Sequence, residues 1–422
     1  MQRSRSYLPQ DLLEAILIRL PVKSIIRFKC VNKSIWFTLI QNPTFIARHY
    51  SSLSQNNPSL MLKGYHSHCH YYQDDPSVPV LTSWTAIYLH PHSDEEEYGF
   101  DPGLSLDISF FPETKPKYIL PPYFIDSIIC DCMKKPYLFG NHIFDCINGI
   151  ICLGDEINGL VLWNPAIREY KVVPEPPCHN YHSSNDVLAF GYDHNSNDYK
   201  LVRILTDTYQ SDLILHPVVV HVYNLSTDSW RQIDLDFDLS IIDFPGDSNE
   251  LYFNGVYHWC SCILSGEYAQ RCEVIVCFDM TKEVFRTMRM PDLGYISSIK
   301  DIKKTLGVLS NCLALIVHNI NKMMTNKHLD IWVMREYGVE KSWTKQFVIG
   351  PLLIIPRAQQ FLFDVQLLLV CDKLVMINGK GQILLYEFGA QEIKNLQLRN
   401  LPNSFFVSKP IVYMKSLVSV SG

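Results

Sequence analysis

The densest group of possible metal ligands in the chain is His66-Ser67-His68-Cys69-His70. On an extended strand, residues 66, 68 and 70 share one face, while Cys69 points to the other. Three imidazoles on one face can bind zinc, but a structural zinc site needs a fourth ligand, and no distant Cys or His run has ligand spacing. We therefore expect a polar hairpin tip here and predict neither a metal nor a cofactor.

Cysteine chemistry is the next possibility, because the chain contains 13 cysteines. An odd number in a long chain without a signal-peptide pattern predicts reduced thiols, hence a cytoplasmic protein, with the nucleus as an alternative. The pairs Cys130/Cys132 and Cys260/Cys262 have the wrong spacing for a zinc knuckle. Alternate positions on a strand, where cysteine acts as a small hydrophobic residue, account for both pairs.

A run of four acidic residues, followed later by an alternating acidic stretch, could bind a basic partner. The run lies between Pro91 and Pro102, which predicts a loop. Two interpretations stay open, a solvated loop and a contact surface for lysines or arginines of a target. The residues of the run are Asp94, Glu95, Glu96 and Glu97, and those of the later stretch are Asp234, Asp236 and Asp238.

Catalytic motifs are missing from the sequence. We find no Gly-x-Ser-x-Gly, no phosphate-binding glycine loop and no zinc-protease motif. Carboxylates are plentiful, but no local pairing marks a general acid and base. We therefore expect a protein that is not an enzyme. No run of about 18 apolar residues occurs, so we also expect no membrane span.

The element that precedes all these residues is a helical stretch over residues 7–49. Its first apolar stripe comprises Leu12, Leu13, Ile16, Leu17 and Leu20, which have the spacing of a helix. Pro9 suits a first helical turn, and Pro21 ends the helix. Two more short helices fit residues 23–31 and 33–41. Because about forty residues make a small core, we expect another domain or a partner chain to complete it.

This stretch resembles an F-box, in the order Leu8-Pro9, Leu12-Leu13, Ile16-Leu17, residues 19–24, residues 27–31 and Lys33-Ser34, with Ile35 preceding the expected Trp36. The resemblance implies an F-box domain over residues 1–50 that binds a Skp-type adaptor and, through it, a cullin. The adaptor-binding residues that it implies are Leu8, Pro9, Leu12, Leu13, Ile16, Leu17, Leu20, Pro21, Ile25, Arg27, Cys30, Val31, Lys33 and Trp36.

A repeat fills the rest of the chain, residues 51–422. Two aromatic residues seven apart flank a polar turn at Trp163/Tyr170, Tyr223/Trp230 and Phe278/Phe285, and looser copies begin at Trp332 and Tyr386. The first aromatics are separated by steps of 60, 55, 54 and 54 residues. A period near fifty with several short strands per unit predicts a β-propeller.

Six units of this length fit, so we predict a mainly β protein: a three-helix F-box followed by a kelch-like propeller of six blades. The first blade would be a degenerate copy around Phe111. We expect the strand near residues 411–420 to pair with residues 60–62 and close the ring, which removes a free sheet edge. A pair of β-sandwiches is the alternative fold.

Charge divides the chain at the same place. Residues 1–50 carry +6 and the whole chain carries −6, so residues 51–422 carry −12. An acidic domain is a poor binder of nucleic acid and a suitable receptor for a basic protein.

The large domain also resembles the F-box-associated domain of plants, through Asn164-Pro165, residues 190–193, residues 198–203, residues 254–259 and residues 278–280. The whole chain is most similar to S-locus F-box proteins. That resemblance implies a substrate receptor of a Skp–cullin–F-box ubiquitin ligase that recognises basic, secreted style ribonucleases in pollen and marks them for degradation. The alternatives are a receptor for another plant protein, and a stand-alone propeller lectin or enzyme.

Overall fold

A computed structural model describes the chain over residues 9–29, 35–54, 59–66, 82–88, 142–155, 159–176, 187–205, 218–239, 242–243, 250–265, 270–293, 302–319, 328–350, 366–370, 372–377, 383–396, 405–407 and 410–421. The chain forms two compact units. Unit 1 comprises residues 1–63, 83–173 and 411–422, and unit 2 comprises residues 64–82 and 174–410.

Four helices open unit 1: α1 (Gln10–Leu17), α2 (Val22–Lys29), α3 (Ile35–Ile40) and α4 (Pro43–Ser54). Pro9 directly precedes α1 as the sequence predicts, but α1 ends at Leu17, three residues before the predicted end at Leu20, and Pro21 directly precedes α2. The helix α4 is an addition to the three predicted helices. Asn42 caps its first turn, because the Asn42 side-chain oxygen accepts a bond from the Thr44 amide at 2.8 Å. The predicted domain boundary at residue 50 lies inside this helix.

Five antiparallel sheets follow, each made of strands that are adjacent in sequence. The first, in unit 1, contains β3 (His142–Ile147), β4 (Ile150–Asp155), β5 (Gly159–Asn164) and β6 (Glu169–Val172). The second contains β7 (Val187–Asp193), β8 (Asp198–Leu205), β9 (Val219–Asn224) and β10 (Ser229–Ile233). The third contains β11 (Ile242–Asp243), β12 (Glu250–Phe253), β13 (Val256–Ser265), β14 (Gln270–Asp279) and β15 (Val284–Arg289).

The last two of these sheets belong to unit 2 as well. The fourth contains β16 (Ile302–Leu309), β17 (Cys312–Asn319), β18 (Leu329–Met334) and β19 (Trp343–Ile349). The fifth contains β20 (Gln366–Val370), β21 (Lys373–Ile377), β22 (Ile383–Glu387) and β23 (Glu392–Leu396).

A remaining sheet combines strands from distant parts of the sequence: β1 (Ser59–His66), β2 (Thr82–Tyr88), β24 (Phe405–Val407) and β25 (Ile411–Tyr413). Leu60 pairs with Val412 and Met61 with Ile411, which confirms the predicted pairing of the two ends. The described residues thus contain five blades of consecutive strands, one fewer than the six predicted. The predicted first blade around Phe111 lies outside the described residues.

The aromatic repeat occupies equivalent places in these sheets, as predicted. Trp163, Tyr223, Phe278 and Tyr386 are each the penultimate residue of the last strand but one of a sheet. In three of the sheets the second aromatic lies directly opposite across the turn; the Phe278–Phe285 pair, for example, has a centroid distance of 4.7 Å. In the fourth sheet Trp332 lies one residue earlier, as the third residue from the end of β18, and a β-bulge interrupts the pairing with β19 between Ile331 and Trp332.

Two tryptophan side chains of unit 2 donate hydrogen bonds to backbone carbonyls. The Trp230 indole nitrogen donates to the Pro174 carbonyl at 2.6 Å, and the Trp343 indole nitrogen donates to the Arg289 carbonyl at 3.2 Å. Trp343, the first residue of β19, thus uses its polar edge to tie the fourth sheet to the end of β15 in the third sheet.

A buried histidine links the third and fourth sheets. The His258 Nδ1–H donates to the Leu251 carbonyl at 3.1 Å, so the other ring nitrogen, Nε2, accepts from the Tyr337 hydroxyl at 2.8 Å. Tyr337 in turn accepts from Arg286 at 3.0 Å. Burial, with Arg286 nearby, lowers the pKa of His258 to about 4, although its bond to Leu251 opposes that change.

This histidine predicts an acid-sensitive stability. Its folded-state pKa lies below its unfolded value of 6.5, so the unfolded chain takes up a proton first and stability falls from about pH 6.5 down to about pH 4. Between pH 7 and pH 5 the loss is about 2 kcal/mol. Urea unfolding at both pH values should show a smaller difference for His258→Gln than for wild type. His328→Gln, at a half-exposed ring, is the matched control, and identical pH differences in all three proteins would contradict the assignment.

Cysteines in the described part of the chain form no disulfide; they are Cys146, Cys152, Cys260, Cys262, Cys272, Cys277 and Cys312. Cys260 and Cys262 are alternate residues of β13, as predicted. Within the same described ranges, no helix is long and apolar enough to cross a membrane.

Candidate functional site

Helix α1 has two different faces. Leu17 is 1% exposed and Ile18, just past its end, is 9% exposed, whereas Leu12 is 48% and Ile16 is 44% exposed. Leu12 and Ile16 are four residues apart, so their side chains lie next to each other on the outer face. An exposed apolar pair on a helix that is otherwise anchored marks a surface for a partner.

The inner face of α1 packs into the core of the helical region. Leu17 shares this core with Val22 and Ile25 of α2, Ile40 of α3 and Phe45 of α4. Three residues from outside the helices also take part: Ala166 and Ile167, in the turn between β5 and β6, and Leu417, beyond β25. About forty residues make too small a core on their own, and other segments of the same chain complete it.

Polar contacts fix α4 against α1. His49 is fully buried, and its Nε2 lies 2.8 Å from the Leu20 carbonyl. Burial lowers the pKa of His49, against the effect of the Leu20 bond, so the neutral ring donates from Nε2 at neutral pH. Arg48 forms an ion pair with Glu14 of α1. Together these contacts hold the orientation in which Leu12 and Ile16 face outward.

The predicted adaptor-binding residues divide into three groups. Pro9, Leu12, Ile16, Pro21 and Arg27 are exposed, and Leu13, Leu20 and Trp36 are half-buried. Leu17 and Ile25 lie in the core, at 1% and 0% exposure. They therefore support the adaptor-binding surface from inside, whereas the sequence analysis placed them on that surface. Leu8, Cys30, Val31 and Lys33 lie outside the described residues.

Trp36, which follows the unexpected Ile35, is placed in the helical core. Its ring lies 5.0 Å from the ring of Phe28, and both side chains pack against the buried cluster. The helix α3 starts at Ile35. The departure from the F-box pattern is thus compatible with a packed third helix.

The exposed charged residues of the described helical region are mainly basic, with Asp11 as the acidic exception. Arg19, Lys23, Arg27 and Arg48 are all exposed. This excess of exposed positive charge on the helical region is complementary to an acidic partner.

The residues predicted to bind the target, Asp94, Glu95, Glu96 and Glu97, lie outside the described residues. The second acidic stretch is described. Asp234, Asp236 and Asp238 are exposed, while Leu235, between the first two, packs against the core of unit 2. This alternation leaves an acidic strip on the surface of unit 2.

The contribution of Ala166, Ile167 and Leu417 to the helical core was missed by sequence reasoning. A signal existed in the turns. The corresponding turns after β9 and β14 have Ser226-Thr227 and Thr281-Lys282 in the middle, where the turn after β5 has the apolar pair Ala166-Ile167. An apolar pair in the middle of a polar hairpin turn indicates that another element covers the turn.

A buried ion cluster lies between the second and third sheets of unit 2. The Lys200 amine lies 2.8 Å from Asp193 and 2.9 Å from Glu283, and it also donates to the Met280 carbonyl at 2.7 Å. Asp193 further accepts from the hydroxyl of Thr281 at 2.7 Å. Burial opposes both charges. Nevertheless, the bonds to Lys200 hold the pKa of Asp193 below its ordinary range, and Asp193 and Glu283 hold the pKa of Lys200 above its own.

This cluster is structural rather than catalytic in character. A lysine whose pKa is raised keeps its proton at neutral pH, so Lys200 is neither a general base nor a nucleophile. Its role is to tie β8 to the turn after β14.

Metal ligands are not gathered anywhere in the described ranges: no group of three or more His, Cys, Asp or Glu could hold an ion there. Of the predicted histidine group, His66 ends β1 and its partners at 68–70 lie outside those ranges.

Comparison with known proteins gives matches over nearly the whole chain. A family model described as "F-box associated beta propeller domain" matches residues 128–420, and one described as "F-box domain" matches residues 6–35. An "F-box/kelch-repeat protein" of Arabidopsis thaliana is 26% identical over 430 residues, covering 98% of this chain and 95% of the relative. The "F-box protein CPR1" of the same plant is 24% identical, covering 94% and 86%. The predicted fold class, an N-terminal helical region followed by a β-propeller, is confirmed.

Proposed function

We propose, from the premise that this chain belongs to the F-box proteins with an F-box associated β-propeller domain, that it is the substrate-recognition subunit of a Skp–cullin–F-box ubiquitin ligase. One observation carries the proposal: the matched F-box buries its inner face in the chain and leaves Leu12 and Ile16 exposed on α1. The outer face of α1 is then available to a Skp-type adaptor.

The mechanism that we propose is proximity. A receptor that holds a target beside a ubiquitin-charged enzyme raises the effective concentration of target lysines, and no residue of the receptor has to react. The propeller would bind the target, and the F-box would bind the adaptor. We place this activity in the cytoplasm, with the nucleus as the alternative compartment.

For the target, we propose a basic secreted ribonuclease of the style, as the resemblance to S-locus F-box proteins implies. The net charge of −12 over residues 51–422 and the exposed strip Asp234, Asp236 and Asp238 support a basic partner. Opposite charge speeds diffusional encounter and disfavours like-charged competitors.

The test is reconstitution. The full chain should co-purify with a Skp-type adaptor and a cullin, and the complex should transfer ubiquitin to a basic style ribonuclease in vitro. A chain that binds no Skp-type adaptor would refute the receptor role. Assembly without modification of any ribonuclease from a compatible style, combined with capture of another plant protein that is modified, would keep the receptor role and reject the ribonuclease.

The predicted acidic run gives a kinetic prediction. Replacing Glu95, Glu96 and Glu97 by glutamine should lower the association rate with a basic target several-fold at low salt, and the difference should shrink at high salt because ions screen charge. Thermal stability and adaptor affinity should stay near wild type. Stopped-flow or biosensor rates at two ionic strengths measure this.

The matched control removes three negative charges elsewhere, by replacing Asp234, Asp236 and Asp238 with asparagine. A slower rate in the first variant alone assigns the contact to the run at 94–97. Equal slowing of both assigns it to the overall field, and an unchanged low-salt rate in the first variant removes the run from the binding surface.

A further inference from the structure

A segment distant in sequence from the F-box takes part in its core. We infer that residues 414–421, the clamp segment, are an integral part of the F-box module and hold its helices in the adaptor-binding arrangement without contacting the adaptor. The effect on adaptor binding rests on the proposed function. The contact between the clamp segment and the helical core does not depend on it.

Leu417 makes the direct contact. It is 3% exposed and shares one hydrophobic cluster with Leu17, Ile25, Ile40 and Phe45, that is, with one residue from each of the four helices. A buried leucine in so small a core contributes to the arrangement of the helices that share this core. Leu417 is therefore a positioning residue for the exposed face of α1.

Asn164 holds the clamp segment in place. Its Nδ2 donates to the Ser416 carbonyl at 3.3 Å, to the Ser416 hydroxyl at 3.1 Å and to the Val418 carbonyl at 2.7 Å. Its Oδ1 accepts from the Ala166 amide at 3.1 Å. One buried side chain thus connects both structures that contact the helices, the clamp segment and the turn that carries Ala166.

Two further contacts anchor the same segment. The carboxylate of Glu169 accepts from the Ser419 hydroxyl at 2.6 Å and from the Val420 amide at 3.3 Å. Gly149, with a φ of +78°, lets the segment approach the turn after β3: a Cβ there would lie 2.5 Å from the Met414 carbonyl oxygen. The clamp segment is consequently held along its length, from Met414 to Val420.

The consequence for binding follows from the size of the helical core. The outer face of α1 binds only while the four helices keep their arrangement, and about forty residues cannot maintain it without outside contacts. If the clamp segment loosens, the fraction of molecules with an ordered F-box falls, and the apparent affinity for the adaptor falls by the same factor.

Asn164→Asp tests the clamp with almost no change in volume. Aspartate keeps the acceptor for Ala166 but loses the donor, and it sets a negative charge against the carbonyl oxygens of Ser416 and Val418. We expect amide exchange in Val22–Lys29 to accelerate about tenfold or more, because the open fraction of the helices rises, and adaptor affinity to fall in proportion to the ordered fraction that remains. Hydrogen exchange by mass spectrometry and adaptor titration of the full chain measure these effects.

Asn224→Asp is the matched control. Asn224 is the last residue of β9, as Asn164 is of β5, and its Nδ2 donates to Asp198 at 3.0 Å in unit 2. The control variant should disturb unit 2 while leaving exchange in Val22–Lys29 and adaptor affinity within about twofold of wild type.

Leu417→Ala gives a second route if Asn164→Asp does not fold, and Leu417→Met should restore most of the protection because its volume is similar. Unchanged helix exchange in folded Asn164→Asp and Leu417→Ala proteins would overturn the inference. If wild type binds no adaptor, the proposed function fails, and the exchange measurements still decide whether the clamp exists.

Discussion

Replacing Leu12 and Ile16 together by alanine should weaken binding of the full chain to a Skp-type adaptor by about 100-fold. Each side chain is about half exposed in the free chain, so an interface can still bury apolar area worth about 1.5 kcal/mol on each. The two losses together make about 3 kcal/mol, which corresponds to the stated factor.

The same variant should remain folded. Neither residue belongs to the buried cluster of the helical core, and alanine is the strongest helix former, so α1 keeps its propensity. Thermal unfolding should stay near wild type while the dissociation constant, measured by calorimetry or biosensor, rises. Loss of binding with stability retained is the signature of an interface residue rather than a core residue.

Val348→Ala combined with Ile393→Ala is the matched control. These residues are 58% and 38% exposed on the edge strands β19 and β23 of unit 2. The control removes comparable exposed apolar area from another part of the protein, so adaptor affinity should not change. A folded Leu12/Ile16 variant that keeps wild-type affinity would exclude the outer face of α1 as the adaptor surface.

The second large effect is expected for Lys200→Met, which removes the cation from the buried ion cluster. Lys200 and Asp193 have side chains that are 5% and 4% exposed. Removing one partner leaves the charge of Asp193 uncompensated, and such a change costs about 3–5 kcal/mol. We expect about 3 kcal/mol, because Thr281 and Ser196 still donate to Asp193. Urea unfolding at pH 7 measures this loss.

Two control variants separate charge from packing. Arg231→Met removes the other cation near Glu283, but the Arg231 side chain is 48% exposed, so the cost should be about 1 kcal/mol or less. The double variant Asp193→Asn/Lys200→Met removes the uncompensated charge and should recover part of the lost stability. If Lys200→Met is no less stable than Arg231→Met, the ion cluster does not support the sheet contact.

The pH dependence of the Lys200 effect follows from the two pKa shifts. The pKa of Asp193 is lowered, so its contribution is present above its unfolded pKa of about 4 and is lost as pH falls below that value. The pKa of Lys200 is raised, so its contribution is present below its unfolded pKa of 10.5 and is lost as pH rises above it. The difference between wild type and Lys200→Met should be constant from about pH 5 to pH 9 and should shrink below about pH 4.

Local features of the fold could be predicted from the sequence because their causes are local. Pro9 directly precedes α1 and Pro21 directly precedes α2, since proline fixes its own backbone angle and donates no hydrogen bond. The aromatics at Trp163, Tyr223 and Phe278 marked equivalent strands, because each must enter the same kind of hairpin in each sheet. Helix α4 was not predicted, because its first residues were treated as the end of the F-box stretch over residues 7–49.

The division of α1 into a buried and an exposed face needed the tertiary structure. Sequence spacing placed Leu12, Ile16 and Leu17 on one broad apolar stripe, and all three were predicted to bind the adaptor. The apolar stripe is wider than the part that the helical core covers. Burial in the cluster with α2, α4 and Leu417 shows that Leu17 faces inward and that Leu12 and Ile16 face outward. Periodicity reports which residues share a helix face, but it does not report what covers that face.

The ion cluster and the clamp segment are likewise products of tertiary structure. Lys200 lies 83 residues before Glu283, and Asn164 lies 252 residues before Ser416. Each contact exists because sheet pairing brings distant segments together, and no local propensity indicates either one. The F-box resemblance, the strand repeat and the acidic character of the large domain could be recognised in the sequence, since these depend on neighbouring residues and composition. The tertiary structure decided which apolar residues face a partner, because burial depends on contacts between segments that are far apart in the chain.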